Sequence, residues 1–391
     1  MKRVFSLFVL LFFFYGSGYL KGQIHDPHTL SRIALREHVS FLASDSLQGR
    51  LFGTEGNLVA GEYIADRFAD IGLEEFNGIS YFHYFNVEIP SAVREIPLVV
   101  LEGCNVVGVL PGTDPMLKNE YIIVGAHYDH LGSLTGKNGV SDTVYNGADD
   151  NASGTAVLIE TARALKEKGG LSRTVVFVAF DGEEQGLWGS EHFLKDSLYP
   201  ADRIKTMISL DMVGYYRTSG VLKVIGSGTL EDSRQWMPDS DVLKVRFIPF
   251  ENSLIGATDT RCFAQSRIPT LFITTGTKSP YHKVEDQADG IDYEGLVGVA
   301  SYVSDLVSTL AGYSHLAPSG EYAVIHHVNE YAFFLGPSVS FGSNRFRHTR
   351  GVLEGRPGFY AAVGADARFL WKGFLELNPA LQLEYIGARH A

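Results

Sequence analysis

Three short hydrophobic runs in the middle of the chain each stop at side chains that bind metal ions well. The runs, with the residues at which they stop, are 121–124 with His127, 173–180 with Glu183 and Glu184, and 204–210 with Asp211. Their length and their β-branched and aromatic residues predict buried strands. Residues 156–168 have helical periodicity and end at a Gly-Gly pair, which predicts a helix. This alternation predicts an α/β fold with a mostly parallel central sheet flanked by helices.

Five candidate metal ligands follow from this arrangement. In a mostly parallel sheet the binding site forms beyond the carboxyl ends of the strands, so side chains that follow different strands are expected to meet there. Imidazole nitrogen and carboxylate oxygen are the ligands that catalytic zinc takes in such sites. The candidates are His127, Asp149, Glu184, Asp211 and His282.

The ligand set is large enough for two Zn²⁺ ions per chain. Two such ions lie ~3.5–4 Å apart, need a bridging carboxylate, and together activate a water molecule and polarise a carbonyl. We expect His127, Asp149 and Asp211 to bind one ion, and Asp149, Glu184 and His282 to bind the other, with Asp149 shared. Cobalt or manganese in place of zinc stays an open alternative.

Two further carboxylates are predicted to support the chemistry. Glu183 stands beside a ligand but is itself free of metal, which is the position of a general base that later protonates the leaving amine. Asp129, two residues after His127, is predicted to accept the second imidazole N–H and so fix the tautomer.

At this point the chain resembles a known family. Five stretches carry the resemblance: 124–130, 146–154, 180–190, 209–214 and 281–283. They are similar to those of the co-catalytic two-zinc aminopeptidases of the bacterial leucyl aminopeptidase type, a clan that also holds glutamate carboxypeptidases, the transferrin receptor ectodomain and glutaminyl cyclases. The resemblance covers roughly residues 30–312. It implies the zinc exopeptidase fold, a cis peptide between Asp149 and Asp150, and a role for Tyr281 in stabilising the tetrahedral intermediate.

The predicted function is a zinc-dependent aminopeptidase acting on peptide substrates, and three alternatives stay open. A glutaminyl cyclase would use the same fold with one zinc ion. A carboxypeptidase would need a cation for the terminal carboxylate, and the candidates are Arg217, Arg261 and Lys283. A receptor-like ectodomain would be expected to have lost ligands that this chain keeps.

Composition excludes some classes of partner and of fold. The formal net charge of −12 over 391 residues argues against a nucleic-acid partner. There are only two cysteines, Cys104 and Cys262, so the chain is not a disulfide scaffold. We expect both to be buried free thiols.

The first 22 residues are predicted to be a signal peptide. Lys2 and Arg3 precede an apolar core that ends near small residues, which is the pattern of a secretory leader. The apolar run is too short for a spanning helix, and we expect no membrane-spanning helix. The mature peptidase domain, residues 23–312, is therefore expected to be exported: periplasmic, outer-membrane associated or secreted.

Residues 320–391 are predicted to form a separate all-β antiparallel extension. The pattern changes to period two in three long segments, 331–341, 358–370 and 374–386, which predict strands. The stretch weakly resembles part of a bacterial outer-membrane β-barrel, although three strands are too few to close one. Three alternatives therefore stay open: a truncated fusion, a module that pairs with another chain, and a soluble β-appendage packed on the enzyme. An exposed strand edge would favour outer-membrane or self association.

Overall fold

The computed structural model describes most of the predicted peptidase domain. The described residues are 30–90, 98–135, 141–196, 199–250, 258–320 and 322, together with the backbone of four strands beyond residue 330. The predicted signal peptide lies outside the described residues.

One sheet of nine strands forms the centre of the protein, in the order β1-β3-β7-β4-β8-β11-β9-β10 with β2 paired to β3. The strands are β1 (Glu74–Glu75), β2 (Phe82–Pro90), β3 (Leu98–Leu110), β4 (Tyr121–His127), β7 (Thr174–Phe180), β8 (Ile204–Leu210), β9 (Leu222–Ile225), β10 (Val245–Ile248) and β11 (Thr270–Thr274), while β5 (Gly132–Thr135) and β6 (Ser141–Tyr145) form a separate hairpin. The four central strands, β7, β4, β8 and β11, run parallel. The structure confirms the predicted fold class.

Helices cover both faces of this sheet. The longer ones are α1 (Arg32–Leu42), α2 (Glu55–Ile71), α3 (Gly154–Lys168), α4 (Trp188–Asp196) and a closing helix, Tyr293–Gly312, and shorter helices span Tyr216–Ser219, Ser233–Trp236 and Thr260–Gln265. Alternate residues of β7 belong to two different cores. Val175 and Phe177 pack with α1, α3 and the closing helix, whereas Val176 and Val178 pack with α4 and the helix Thr260–Gln265. Burial on both faces explains why the central strands are continuous hydrophobic runs.

The closing helix is part of the core. By length and composition it is apolar enough to cross a membrane, yet 67% of its apolar window is buried inside the protein. Its buried residues, among them Leu296, Val303 and Leu310, join the core cluster that includes α1 and α3. This burial is the behaviour of a core helix in a folded domain.

The two cysteines do not pair. Cys104 and Cys262 are both free, with Cys262 buried and Cys104 partly buried. The prediction of free thiols is confirmed, although burial is incomplete at Cys104.

The predicted extension contains an antiparallel sheet. Strands β12 (Tyr331–Asn344) and β13 (Gly358–Trp371) pair along their whole length, and β14 (Leu375–Leu377) and β15 (Ala380–Tyr385) both pair with β13. The third predicted segment is therefore divided into two short strands. The resemblance to an outer-membrane barrel and the domain boundary at residue 320 stay predictions.

Candidate metal centre

The site lies beyond the carboxyl ends of the four parallel central strands. His127 is the last residue of β4, Glu183 and Glu184 follow β7, Asp211 follows β8, and His282 lies in the loop after β11. Because adjacent parallel strands end at the same edge, the topology brings these side chains together as predicted. His127 is 2% exposed.

Asp150 is the side chain on which the site is centred. Its Oδ1 lies 3.3 Å from His127 Nε2, and its Oδ2 lies 3.2 Å from His282 Nε2. Each histidine also lies close to a second carboxylate. His127 Nε2 is 3.6 Å from Asp211 Oδ1, and His282 Nε2 is 3.1 Å from Glu184 Oε2. One carboxylate with an oxygen toward each of two imidazoles is the arrangement that a bridging ligand between two metal ions needs.

The structure corrects the prediction that Asp149 is the shared ligand. The Asp149 carboxylate is buried and accepts hydrogen bonds at Oδ1 from Gly214 N–H (2.7 Å) and Ser153 Oγ (3.2 Å). It therefore supports the loop after β8 instead of facing the histidines. The cis peptide lies between Asp150 and Asn151, one residue later than predicted.

Local backbone geometry explains the one-residue error. Residues Ala148–Ser153 form a π-helical turn in which Asp150 (φ −110°, ψ 93°) and Asn151 leave helical geometry. Two adjacent aspartates in such a turn project in different directions, and the sequence alone does not say which one faces the histidines.

His130 belongs to the site and was missed from the sequence. It is buried, and its Nδ1 lies 2.8 Å from Glu184 Oε1. Two sets of ligand atoms lie within 4.8 Å of one another: His127, Asp150 and Asp211 form one set, and His130, Asp150 and Glu184 form the other. We assign His130 a hydrogen bond that orients Glu184 and leaves Glu184 Oε2 for an ion. Its position three residues after His127, within the same motif, was the signal available.

The donor set fits divalent metal ions. Among the described residues, Asp150 Oδ2, Asp211 Oδ1 and His282 Nε2 are buried polar atoms with no hydrogen-bond partner. Buried polar atoms are normally satisfied, so an unmet cluster of carboxylate oxygens and imidazole nitrogens implies a cation. The residues supply carboxylate and imidazole donors to two adjacent positions that share Asp150.

The pKa values of the histidines also indicate that the surrounding carboxylates stabilise positive charge at this site. The nearby carboxylates of Asp150 and Glu184, opposed by burial, raise the pKa of His282 to about 10. At His127, burial lowers the pKa, but Glu183 and the nearby carboxylates of Asp129, Asp150 and Asp211 outweigh it and raise the pKa well above the usual value. A metal ion at these nitrogens would supply the charge that the carboxylates attract.

Asp129 has a different role from the one predicted for its carboxylate. The nearest acceptor to His127 Nδ1 is the backbone carbonyl of Asp129, at 3.2 Å, while the carboxylate Oδ1 is 3.6 Å away. The carboxylate instead accepts the backbone N–H groups of Glu183 at Oδ1 (3.0 Å) and of Glu184 at Oδ2 (3.2 Å). It therefore fixes the loop that carries both glutamates.

Glu183 and Tyr281 line the cavity beside the ligands, as predicted. The cavity has a volume of about 240 Å³. Burial is the main cause that raises the pKa of Glu183 well above its usual value, with His127 opposing it. Tyr281 is 42% exposed, and its ring stacks on the His282 ring with centroids 3.8 Å apart. Burial and nearby carboxylates raise the pKa of the Tyr281 hydroxyl, which keeps it protonated and able to donate.

A buried arginine joins the loops that carry the site. Arg50 is 0% exposed. Its Nε donates to Tyr128 O (2.7 Å), and its terminal nitrogens donate to the carbonyls of Leu42, Asn146 and Gly147. Burial is the main cause that lowers its pKa to about 10, and nearby carboxylates oppose this. The guanidinium thus ties the loop after His127 to the loop before Asp150.

None of the three predicted candidates for a carboxylate-binding cation lines the cavity. Arg217 pairs with Asp292 at 3.0 Å, and Arg261 pairs with Glu191 at 2.6 Å. Lys283 is exposed beside His282 and is absent from the lining. Lys223 of β9 does line the cavity, and the sequence did not identify it.

Comparison with known proteins agrees with this geometry. The model of peptidase family M28 matches residues 105–307, just over half of the chain. A probable leucine aminopeptidase 1 of Trichophyton verrucosum is 27% identical over 228 residues, which cover 53% of this chain and 58% of that protein. The chain thus matches little more than half the length of this relative.

Two solved structures share the fold. A zinc aminopeptidase from Bacillus subtilis superposes with a TM-score of 0.56 at 18% identity, covering 72% of this chain and 95% of that one. A glutaminyl cyclase from Porphyromonas gingivalis superposes with a TM-score of 0.52 at 17% identity, covering 71% and 98%. The predicted resemblance to this group of proteins is confirmed.

Proposed function

Because the chain belongs to peptidase family M28, we propose that it is an aminopeptidase that removes N-terminal residues from peptides with the help of two zinc ions. The observation that carries the proposal is the position of Asp150, with one oxygen 3.3 Å from His127 and the other 3.2 Å from His282. A carboxylate shared in this way supports two adjacent ions, whereas a single ion needs only one of the two histidines. The likeness of the chain to leucine aminopeptidases supports the choice of substrate.

In this proposal His127, Asp150 and Asp211 hold one zinc ion, and Asp150, Glu184 and His282 hold the other. Bound zinc would lower the pKa of a water molecule and polarise the carbonyl that is attacked. The protein's part is to position these ligands. Asp129 contributes by holding the main chain on which Glu184 lies.

Glu183 is the proton carrier of the proposed reaction. It takes a proton from the water whose oxygen attacks the first peptide carbonyl, and it delivers a proton to the leaving nitrogen as the C–N bond breaks. Its position in the cavity lining, outside both ligand sets, supports this role. Tyr281 lines the same cavity and is placed to donate a hydrogen bond to the negative charge that develops on the carbonyl oxygen.

A Glu183→Gln variant tests this mechanism. Leucyl p-nitroanilide hydrolysis is measured with and without a chelator, and zinc content is measured on the same samples. We expect the chelator to abolish wild-type activity and the variant to keep its zinc while losing a factor of about 10²–10⁴ in kcat. Glu62→Gln, at an exposed position, is the control and is expected to match the wild type. A fully active Glu183→Gln protein would contradict the proposal.

A glutaminyl cyclase is the second candidate, and the shared fold favours it. In that reaction the α-amine of an N-terminal glutamine attacks its own side-chain amide, and ammonia leaves. His127 lies close to both Asp150 and Asp211, and these three residues form a ligand set of their own beside that of Glu184, which supports two ions instead of one. Ammonia release from glutaminyl peptides, with one zinc per chain, would favour the cyclase.

We also propose that the chain is exported and that the C-terminal sheet mediates association. The leader-like pattern of residues 1–22 supports export to the periplasm, the outer membrane or the medium. Within the described part of the chain, strands β12 to β15 pair with one another and with no other strand, and strand edges left in this way favour outer-membrane or self association. Fractionation of full-length protein and of a variant ending at residue 320 tests both proposals.

A further inference from the structure

Lys223 brings a positive charge into a cavity whose other charged groups gather around the proposed metal positions. It lies on β9, directly opposite Thr274 in the antiparallel pair that β9 makes with β11. Paired residues project from the same face of a sheet, and Thr274 and Phe272 line the cavity together with Lys223. The lysine side chain is therefore directed along the cavity wall.

Gly276 leaves the space that the ammonium group occupies. A Cβ atom added at Gly276 would lie 3.2 Å from Lys223 Nζ. The φ angle of Gly276 is +87°, a conformation that residues with a side chain rarely adopt. The ammonium group thus packs closely against the main chain of the loop that leads to Tyr281 and His282. Both of these side chains line the same cavity.

Lys223 has no anionic partner among the residues that the structure describes. Arg217 and Arg261 each form an ion pair, whereas Lys223 forms none with a described carboxylate. It is half-buried beside the apolar side chains of Met212 and Phe272. A half-buried ammonium that lacks a counter-charge is stabilised by an anion that enters the cavity.

The proposed metal ligands are not that counter-charge. The described ion pairs of the Asp150, Glu184 and Asp211 carboxylates are with histidines, and none is with Lys223. Lys223 and these ligands nevertheless line the same cavity. A substrate whose first carbonyl is at the metal positions would extend toward Lys223.

We propose that Lys223 selects substrates that carry a carboxylate group beside the scissile bond. The proposal rests on the aminopeptidase function proposed above. This carboxylate has two possible sources in a peptide: the side chain of an N-terminal glutamate or aspartate, or the free C-terminus of a dipeptide. In either case the ammonium forms a charge-assisted hydrogen bond with it in a partly desolvated cavity.

The test compares the wild type with Lys223→Met, which keeps the length of the side chain and removes its charge. One pair of substrates is glutamyl and glutaminyl p-nitroanilide, and the other is Leu-Gly and Leu-Gly amide. We expect the wild type to prefer the carboxylate member of one pair by about tenfold in kcat/KM, equivalent to ~1.4 kcal/mol, and Lys223→Met to lose that preference. Lys223→Arg is expected to keep much of it, and Lys118→Met, an exposed lysine before β4, to keep all of it.

The pair that responds identifies the source of the carboxylate. A lost preference for the glutamyl amide identifies the side chain, and a lost preference for Leu-Gly identifies the C-terminus. Equal ratios in wild type and Lys223→Met for both pairs would overturn the proposal. Calorimetry with glutamate against glutamine, and with Leu-Gly against Leu-Gly amide in the Glu183→Gln background, applies the same test without turnover. An inactive wild type that still shows the Lys223-dependent preference would therefore reject the aminopeptidase and keep the carboxylate site.

Discussion

The carboxylate of Asp129 holds the main chain of Glu183, since its Oδ1 accepts the Glu183 N–H at 3.0 Å. Its Oδ2 accepts the next N–H, that of Glu184, at 3.2 Å. One side chain after β4 thus positions both the proposed base and a proposed ligand after β7. The two strands are neighbours in the sheet, so the contact depends on the fold and not on proximity in sequence.

The first prediction follows from this contact. Asp129→Asn replaces one acceptor oxygen by a donor and removes the charge from two hydrogen bonds. We expect kcat and zinc affinity to fall by about 10–100-fold, the range found when a residue that supports metal ligands is lost. Zinc binding is measured with a competing chelator and kcat with leucyl p-nitroanilide. Asp66→Asn on the exposed side of α2 is the control, and a wild-type zinc affinity in Asp129→Asn would reject the role.

The second prediction concerns Arg50. Its replacement by methionine leaves the carbonyls of Tyr128, Asn146 and Gly147 without their buried donor. Each unsatisfied group costs about 1–3 kcal/mol, so we expect the free energy of unfolding to fall by at least ~3 kcal/mol. Urea denaturation measures this change.

Arg50→Lys distinguishes charge from geometry. The planar guanidinium donates in several fixed directions, which an ammonium does not reproduce, so we expect lysine to restore less than half of the lost stability. Arg67→Met, on the surface of α2, is the matched control. Full recovery with lysine would show that charge alone matters at this position.

The third prediction is a pH dependence of stability at Glu160. Burial raises the pKa of this carboxyl, but hydrogen bonds from His38 and Arg163 outweigh it and lower the pKa from 4.5 to about 2. A lowered pKa in the folded state means that the contribution to stability is complete above pH 4.5 and is lost as the pH falls toward 2. The contribution is on the order of 3 kcal/mol.

Glu160→Gln is therefore expected to be less stable than the wild type at pH 7, with a difference that shrinks as the pH falls from 4.5 to 3. The measurement is urea denaturation across this range. Glu37→Gln on the exposed side of α1 is expected to show no such trend. A difference that stays constant between pH 7 and pH 3 would contradict the prediction.

The sequence predicted the sheet and the place of the site because both depend on simple patterns. Hydrophobic runs specified β4, β7 and β8, and the rule that sites form at the carboxyl ends of parallel strands placed His127 and Asp211 together. These patterns depend on burial over many residues, so they do not change with the orientation of any one side chain.

The errors occurred where one side chain's direction depends on tertiary contacts. Asp150 faces the histidines and Asp149 does not, because the turn that contains them departs from regular geometry at Asp150. His130 was missed because its contact with Glu184 joins residues far apart in sequence. Lys223 was missed because the loops around the cavity carry no motif that marks a lining residue.

Zinc content per chain tests the central claim, which is a pair of ions that share Asp150. Metal analysis is applied to wild type, Asp150→Asn and Asp149→Asn. In Asp149→Asn the amide oxygen still accepts the Gly214 N–H, and burial already raises the pKa of Asp149 to about 7. We therefore predict two zinc ions in the wild type and in Asp149→Asn, and at most one in Asp150→Asn. One ion in the wild type, or two in Asp150→Asn, would contradict the account.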